Sequence, residues 1–187
     1  STALPVSGGQ VSTEVSGTGE RFFLLMLEPP QRITEADVPP REFVFVIDVS
    51  GSMHGFPLDT SKELLRDLIG TLRPNDTFNL IFFAGGSETW SARSRPATAA
   101  NLRAAIAAVD RQSGGGGTEL LAALHRAMEL PQEDARARSI VVVTDGYIWA
   151  DDEVFPYIRS HLGSASVFAF GIGSSVNRHL IEGIAQA

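Results

Sequence analysis

The sequence predicts an α/β fold, a doubly wound open sheet that is mostly parallel and carries helices on both faces. Three observations predict it. Apolar runs of strand length alternate with segments whose apolar residues recur at helical spacing, and parallel strands need the crossovers that such helices provide. The run Ile140-Val141-Val142-Val143 is continuous and β-branched, as suits a strand covered on both faces. The 187 residues are 43% hydrophobic and 20% charged, with 18 Gly and 10 Pro, an ordinary globular composition at a length suited to one domain plus an arm.

Residues 1–20 are rich in Ser, Thr, Gly and Val without a clear period, and read as a linker or one weak strand. Arg21–Leu27, stopped by Glu28-Pro29-Pro30, reads as a strand. Residues 1–41 are thus expected to form an arm and junction strand, and 42–187 the domain proper. Phe43–Ile47 is a buried strand, after which Leu64, Leu65, Leu68, Ile69 and Leu72 mark a helix that Pro74-Asn75-Asp76 breaks. Thr77–Phe83 is the next strand. Gly85–Trp90 is a turn into one short antiparallel edge strand, anchored by Trp90.

Thr98 caps a second helix that buries Leu102, Ala105, Ile106 and Val109 and is ended by Gly114–Gly117. A third helix starts near Thr118 with Leu120, Leu121, Leu124 and Met128 inward. Beyond the β-branched strand, Asp151-Asp152-Glu153 opens a fourth helix, its acids placed where the helix dipole favours them, with Val154, Phe155, Ile158 and Leu162 inward. Ser166–Phe170 is the last strand, and Asn177 caps a final helix carrying Leu180, Ile181 and Ile184. Its pattern runs to Ala187, so the chain reads as a piece of a longer protein, cut within that helix.

Charge and composition narrow the function. Fifteen Lys and Arg against 22 Asp and Glu give a net charge of −7, which disfavours nucleic acid and anionic lipid as partners. With no cysteine there is no thiolate metal site and no cysteine nucleophile, so any metal must be held by oxygen or imidazole. Apolar runs such as Phe22–Leu27 fall far short of the roughly 18–20 residues that span a bilayer. No membrane span is expected in this chain.

In open α/β sheets ligands bind beyond the carboxyl ends of the strands. There the sequence places Asp48-Val49-Ser50-Gly51-Ser52 in one tight turn, Thr118 at a helix start after glycines, and Asp145 with Gly146 after the β-branched strand. Asp48, Ser50, Ser52, Thr118 and Asp145 make an all-oxygen set of two carboxylates and three hydroxyls, suited to a hard divalent cation, Mg²⁺ first, with Mn²⁺ or Ca²⁺ as substitutes. With only two formal negative charges in the set, the cation would remain electrophilic enough to accept a further carboxylate from outside. One aspartate is expected to act through water, because Mg²⁺ dehydrates reluctantly.

This arrangement resembles the metal-ion-dependent adhesion site of von Willebrand factor type A domains, in order and on the corresponding elements, from about Glu42 onward. Asp48–Met53, Asp76-Thr77-Phe78-Asn79-Leu80-Ile81-Phe82-Phe83 and Gly171-Ile172-Gly173-Ser174-Ser175-Val176-Asn177 are most similar to the type A domain of inter-alpha-trypsin inhibitor heavy chains and their bacterial relatives. The resemblance implies a Rossmann-like, non-enzymatic interaction and cell-adhesion module. Its metal ligands are Asp48, Ser50, Ser52, Thr118 and Asp145. Its partner is a protein that supplies a Glu or Asp carboxylate, or other domains of the same parent chain, in an extracellular or cell-envelope setting. Glu119-Leu120-Leu121 and Tyr147-Ile148-Trp149 depart from the heavy-chain pattern at the rim of the site, so a shared partner is not implied.

Blander readings stand beside this one. Asp-x-Ser-x-Ser is by itself a common turn, and the site of a type A fold can stay empty in a purely structural domain. A Mg²⁺-dependent hydrolase or phosphotransferase with Asp48 as nucleophile is the alternative from another class. Against it, position 50 is Ser where a second Asp would act as acid and base, Lys62 is the chain's one lysine, and no Gly-x-Ser-x-Gly elbow is present. Gly114–Gly117 lacks the Lys-Ser/Thr ending of a phosphate loop, and Gly171-Ile172-Gly173 lacks a third glycine. His54, His125, His161 and His179 read as surface residues, and Trp149 as either core or contact residue.

Overall fold

The computed structural model describes residues 9–15, 21–27, 38–132, 136–146, 151–161, 163, 165–173 and 176–186. The chain divides between Pro39 and Pro40 into two units. In the first, β1 (Gly9–Val15) runs antiparallel to β2 (Arg21–Leu27), with Gly9 opposite Leu27 and Val15 opposite Arg21. The apolar run is the strand the sequence predicts, and the Ser/Thr/Val segment before it takes the strand alternative because it has this partner.

The second unit starts with β3 (Arg41–Asp48), followed by a 3₁₀ turn (Gly51–Met53) and α1 (Phe56–Gly70). Then come β4 (Thr77–Phe83), two short strands β5 (Ser87–Thr89) and β6 (Arg95–Pro96), and the helices α2 (Ala99–Asp110) and α3 (Leu120–Glu129). The chain finishes as β7 (Ala137–Thr144), α4 (Asp151–His161), β8 (Ser166–Gly171) and α5 (Arg178–Gln186). The strand order is β5-β4-β3-β7-β8, with β3 to β4, β3 to β7 and β7 to β8 all parallel.

Strand residues alternate between two cores, as the pleat requires. Phe45 and Ile47 of β3, Phe78, Leu80 and Phe82 of β4 and Val141 and Val143 of β7 meet Leu65 and Ile69 of α1 and Ala105, Ala108 and Val109 of α2. Val44, Val46, Ile81, Phe83, Ile140 and Val142 point the other way, onto Leu120 and Leu124 of α3, Val154 and Ile158 of α4, and Leu180 and Ile184 of α5. Each large side chain buried this way stabilises the fold by roughly 1.5–3 kcal/mol relative to its exposure, so the two covered faces hold the central strands in place.

Three local details differ from the sequence reading. The antiparallel edge on β4 is two pieces, β5 opposite Ile81–Phe83 and β6 opposite Thr77–Phe78. Between them the buried Asn79 side chain takes over the ladder, donating to Ser91 O at 2.7 Å and accepting from Ser91 N–H at 3.2 Å. Trp90 anchors this edge, stacked on Phe78 at 5.5 Å, with the Arg95 guanidinium over its ring, 5.1 Å from the centroid. α2 stops at Asp110, ahead of the glycines, where Lys62 Nζ donates to the carbonyls of Asp110 and Gln112. α3 begins at Leu120, two residues beyond Thr118, because Glu119 stands at φ −102° and ψ 64°, outside the helical region, with its N–H donating to Ala84 O, 2.8 Å away in the loop after β4. The two predicted caps are present: Thr98 Oγ1 accepts from Asn101 N–H, and Asn177 Oδ1 from Leu180 N–H. Leu162, Ser174 and Ser175 lie outside the described residues, as do Tyr147, Ile148 and Trp149.

The amino-terminal edge of the sheet is closed by ion pairs. Glu42, 2% exposed, accepts from Arg138 Nε at 2.8 Å and from Ser94 Oγ at 2.6 Å. The rest of the Arg138 guanidinium donates to the carbonyls of Ala127, Met128 and Leu130, closing the carboxyl end of α3. Asp76 accepts from the Arg73 side chain at 2.8 and 3.1 Å and from the backbone N–H groups of Arg41 and Arg73 at 3.0 Å each.

Candidate metal centre

At the opposite edge the chain leaves β3 toward β4 on one side, and the next parallel strand, β7, lies on the other side of β3. Strand order reverses here, and the loops after β3 and β7 part to leave a crevice. Asp48 is the last residue of β3 and is fully buried. Its Oδ1 accepts from Ser50 N–H at 2.8 Å and its Oδ2 from the Thr144 hydroxyl at 2.6 Å. Burial pushes the Asp48 carboxyl up, the hydrogen bonds from Ser50 and Thr144 draw it down, and the neighbouring Asp145 charge adds to the rise, leaving it above its ordinary value of 3.8. Among the described residues no Arg, Lys or His forms an ion pair with it.

Ser50 and Ser52 are held by the turn that follows. Met53 N–H donates to Ser50 O and His54 N–H to Gly51 O, while the buried Met53 side chain fastens the turn to the core. Ser50 Oγ and Ser52 Oγ stand 3.1 Å apart, Ser50 buried and Ser52 exposed, so the pair runs from beneath the surface outward.

Thr118 arrives on a glycine strap. Gly114, Gly115 and Gly116 have φ of +70°, +151° and +85°, a succession only glycine adopts without strain. The strap is bonded to the turn that carries Asp48, Ser50 and Ser52, Gly51 N–H to Gly116 O at 3.1 Å and Gly115 N–H to Val49 O at 2.8 Å. Thr118 sits half-buried between these bonds and the Glu119–Ala84 bond. A flexible tetraglycine is in this way made into a fixed support.

Asp145 follows β7 and is half-buried. Beyond it, Gly146 has φ +78°, and a Cβ there would lie 2.8 Å from Asn177 N, so the turn out of β7 fits against the start of α5 only without a side chain. Gly146 N–H donates to Thr144 Oγ1 at 3.0 Å. Thr144 therefore links the two turns: it accepts a hydrogen bond from the turn that carries Asp145 and donates one to the carboxylate of Asp48. The sequence reading includes Thr144 in its motif without a role, because which strand residue stands beside Asp48 depends on the β3–β7 register.

The structure thus brings Asp48, Ser50 and Ser52 together by direct hydrogen bonds, Asp145 close enough for its charge to act on Asp48, and Thr118 onto a strap bonded to the same turn. Among the described residues no three of His, Cys, Asp and Glu cluster as a metal site. The donors are carboxylate and hydroxyl oxygens, which suit a hard dication, and among the described residues the buried Asp48 carboxylate has no cationic partner, a charge that a dication would supply. The histidines are exposed and are not among the five candidate ligands. His54 lies under the strap's edge, His125 and His161 flank the Tyr157 ring at 3.9 and 4.2 Å, and His179 meets Phe155 edge-on at 5.6 Å.

Comparison with known proteins follows the same boundaries. The family model of the von Willebrand factor type A domain matches residues 41–187. Inter-alpha-trypsin inhibitor heavy chain H1 of Mesocricetus auratus is 37% identical over 155 residues, covering 76% of this chain and 17% of that protein. A von Willebrand factor A domain-containing protein of Dictyostelium discoideum is 31% identical over 147 residues, covering 78% of this chain and 16% of that one. Among solved structures, the von Willebrand factor type A protein from Catenulispora acidiphila aligns with a TM-score of 0.71 at 22% identity, over 88% of this chain and 38% of its own. The chain thus corresponds to less than a fifth of the length of these curated relatives.

Proposed function

The chain belongs to the von Willebrand factor type A family, and on that premise we propose that it is a non-enzymatic protein-binding module working through a divalent cation. Asp48, Ser50, Ser52, Thr118 and Asp145 hold Mg²⁺, or Mn²⁺ or Ca²⁺ in its place, and a Glu or Asp of a partner protein completes the site. The observation that carries this reading is the buried Asp48 carboxylate, hydrogen-bonded by two neutral donors and lacking a cationic partner among the described residues. When bound, the cation supplies the missing positive charge and a Lewis-acidic position open to a carboxylate from outside.

The protein's own groups divide the remaining work. Thr144 and Ser50 N–H fix the two oxygens of Asp48 in orientation. The hydroxyls of Ser50, Ser52 and Thr118 contribute oxygen without charge, so that Asp48 and Asp145 alone do not neutralise a dication beyond its ability to attract a third carboxylate. Adhesion in an extracellular or cell-envelope setting, possible for a domain of this family, belongs to the same proposal. So does any partner of the longer proteins it matches.

A thermal melt tests it, in excess EDTA and then in millimolar Mg²⁺, Mn²⁺ or Ca²⁺, with Asp48→Ala alongside. A ligand at 100 times its Kd adds about 2.7 kcal/mol, an upward shift of roughly 5–10 °C for a domain of this size. The expected result is a cation-dependent shift in the wild-type chain and none in Asp48→Ala, which stays folded. If no cation moves the wild-type melt, the reading is wrong.

A further inference from the structure

Phe56 is 73% exposed, and among the described residues only Phe168, at 51%, is a comparably bare large hydrophobic side chain. Phe168 lies mid-strand on β8, whereas Phe56 is the first residue of α1, four positions after Ser52. Its backbone is rigid. Gly55 before it has φ +80°, Pro57 after it is preset for a helix's first turn, and Asp59 N–H closes that turn onto Gly55 O at 3.0 Å.

The neighbours of Phe56 place it at the rim of the metal centre. A Cβ on Gly114 of the strap would stand 3.5 Å from His54 Cα, and one on Gly173, in the loop after β8, 3.8 Å from Pro57 Cγ. His54, two residues before Phe56, thus borders the strap, and Pro57, the residue after it, borders the β8–α5 loop, which puts the start of α1 at the carboxyl-end edge where the candidate ligands gather. A phenyl ring fixed in water contributes little to folding, but beside a metal it offers what a metal lacks. Charge steers an acidic partner and rejects a basic one, but every acidic partner brings the same carboxylate, so what separates one from another is the contact made around it, where a desolvated aromatic ring carries much of the binding energy.

We infer that Phe56 is a specificity-determining residue, and that the partner presents its Asp or Glu with a bulky apolar side chain one or two residues away. The carboxylate goes to the cation and the apolar side chain covers the Phe56 ring. This rests on the metal-dependent reading above, and goes beyond it by naming the partner's second feature.

The test is selection of a random heptapeptide library on the 187-residue chain in Mg²⁺, with elution by EDTA. Wild-type protein should enrich peptides in which Asp or Glu neighbours Leu, Ile, Phe or Met. Phe56→Ser should keep the acid requirement and lose the apolar one, with an unchanged melt in EDTA because the side chain it removes is exposed. In fluorescence anisotropy, a selected peptide should bind Phe56→Ser about tenfold more weakly. The same peptide with its apolar residue changed to Ala should bind both proteins alike. Enrichment of acidic residues without an apolar neighbour overturns the role of Phe56 and leaves the metal reading intact. A wild-type dimer in sedimentation that Phe56→Ser abolishes assigns the ring to a second copy and also overturns it. If EDTA elutes no acidic peptides, the carboxylate-binding reading falls as well.

Discussion

The two ends of the β3–β7 pair carry the same problem and solve it differently. Glu42 near the start of β3 and Asp48 at its end are both buried carboxylates, and each meets a β7 side chain 96 residues away. At the start the register partner of Glu42 is Arg138, and the charge is neutralised inside the fold. At the end the residue beside Asp48 is Thr144, which orients the carboxylate and leaves its charge standing. One register therefore makes an ion pair at one edge and, among the described residues, a carboxylate held only by neutral donors at the other. The contrast is between a buried acid that is paired inside the fold and one that, among the described residues, is only positioned.

The sharpest way to break this comparison is to remove the internal charge. Arg138→Met strands Glu42 and the carbonyls of Ala127, Met128 and Leu130, and should destabilise the domain by about 3–5 kcal/mol in urea titrations. Glu42→Leu added to it should recover part of the loss, since replacing both partners removes the unpaired charge. Whatever remains folded should still show the cation-dependent rise in melting temperature. A variant that loses stability and cation response in equal measure would mean that the two edges are not independent.

Thr144→Val acts at the other end of the register. It keeps the shape of the side chain but withdraws the hydroxyl from both Asp48 Oδ2 and Gly146 N–H. The cost should be about 1–3 kcal/mol in EDTA, together with weaker Mg²⁺ binding in a calorimetric titration, because Asp48 is no longer held in one orientation. Unchanged Mg²⁺ affinity would remove Thr144 from the site.

Asp76 gives the smallest effect and a test by pH. Burial works against its charged form, but the Arg73 side chain, the N–H groups of Arg41 and Arg73, and the Arg73 charge outweigh it and hold the carboxyl below its ordinary value of 3.8. A carboxyl depressed in the folded state adds stability above the unfolded value, and that stability is lost as pH falls through the folded one. The gap in stability between wild type and Asp76→Asn, about 1 kcal/mol near neutrality for a pair whose arginine is partly exposed, should therefore be constant above roughly pH 5 and close below pH 4. A gap that does not change with pH would show that the Arg73–Asp76 charge pair contributes nothing.

Much of this was legible along the chain because it is local. Alternating buried runs and helical stripes mark β3, β4, β7 and the five helices, and Asp48, Ser50 and Ser52 are fixed by one turn whose chemistry lies within five residues. Thr98 and Asn177 could be read as caps because a cap is a contact three residues long. What escaped depends on distant partners. Asn79 looks like any strand residue until Ser91, twelve positions on, is seen against it. Glu119 gives no local sign that its N–H goes to Ala84 O, in the loop of another strand, while Ala123 N–H bonds back to the Glu119 carbonyl.

The sequence by itself determined the α/β alternation, the order of the five candidate oxygen ligands, and the glycines that let Thr118 approach, since periodicity and turn chemistry are properties of short segments. Only the tertiary structure decided that Glu42 would find an arginine and Asp48 a threonine, that Thr144 would link two turns, and that Phe56 would stand bare at the rim. Those outcomes follow from register and strand order, which bring together residues about half the chain apart and are set by the packing of all the elements at once.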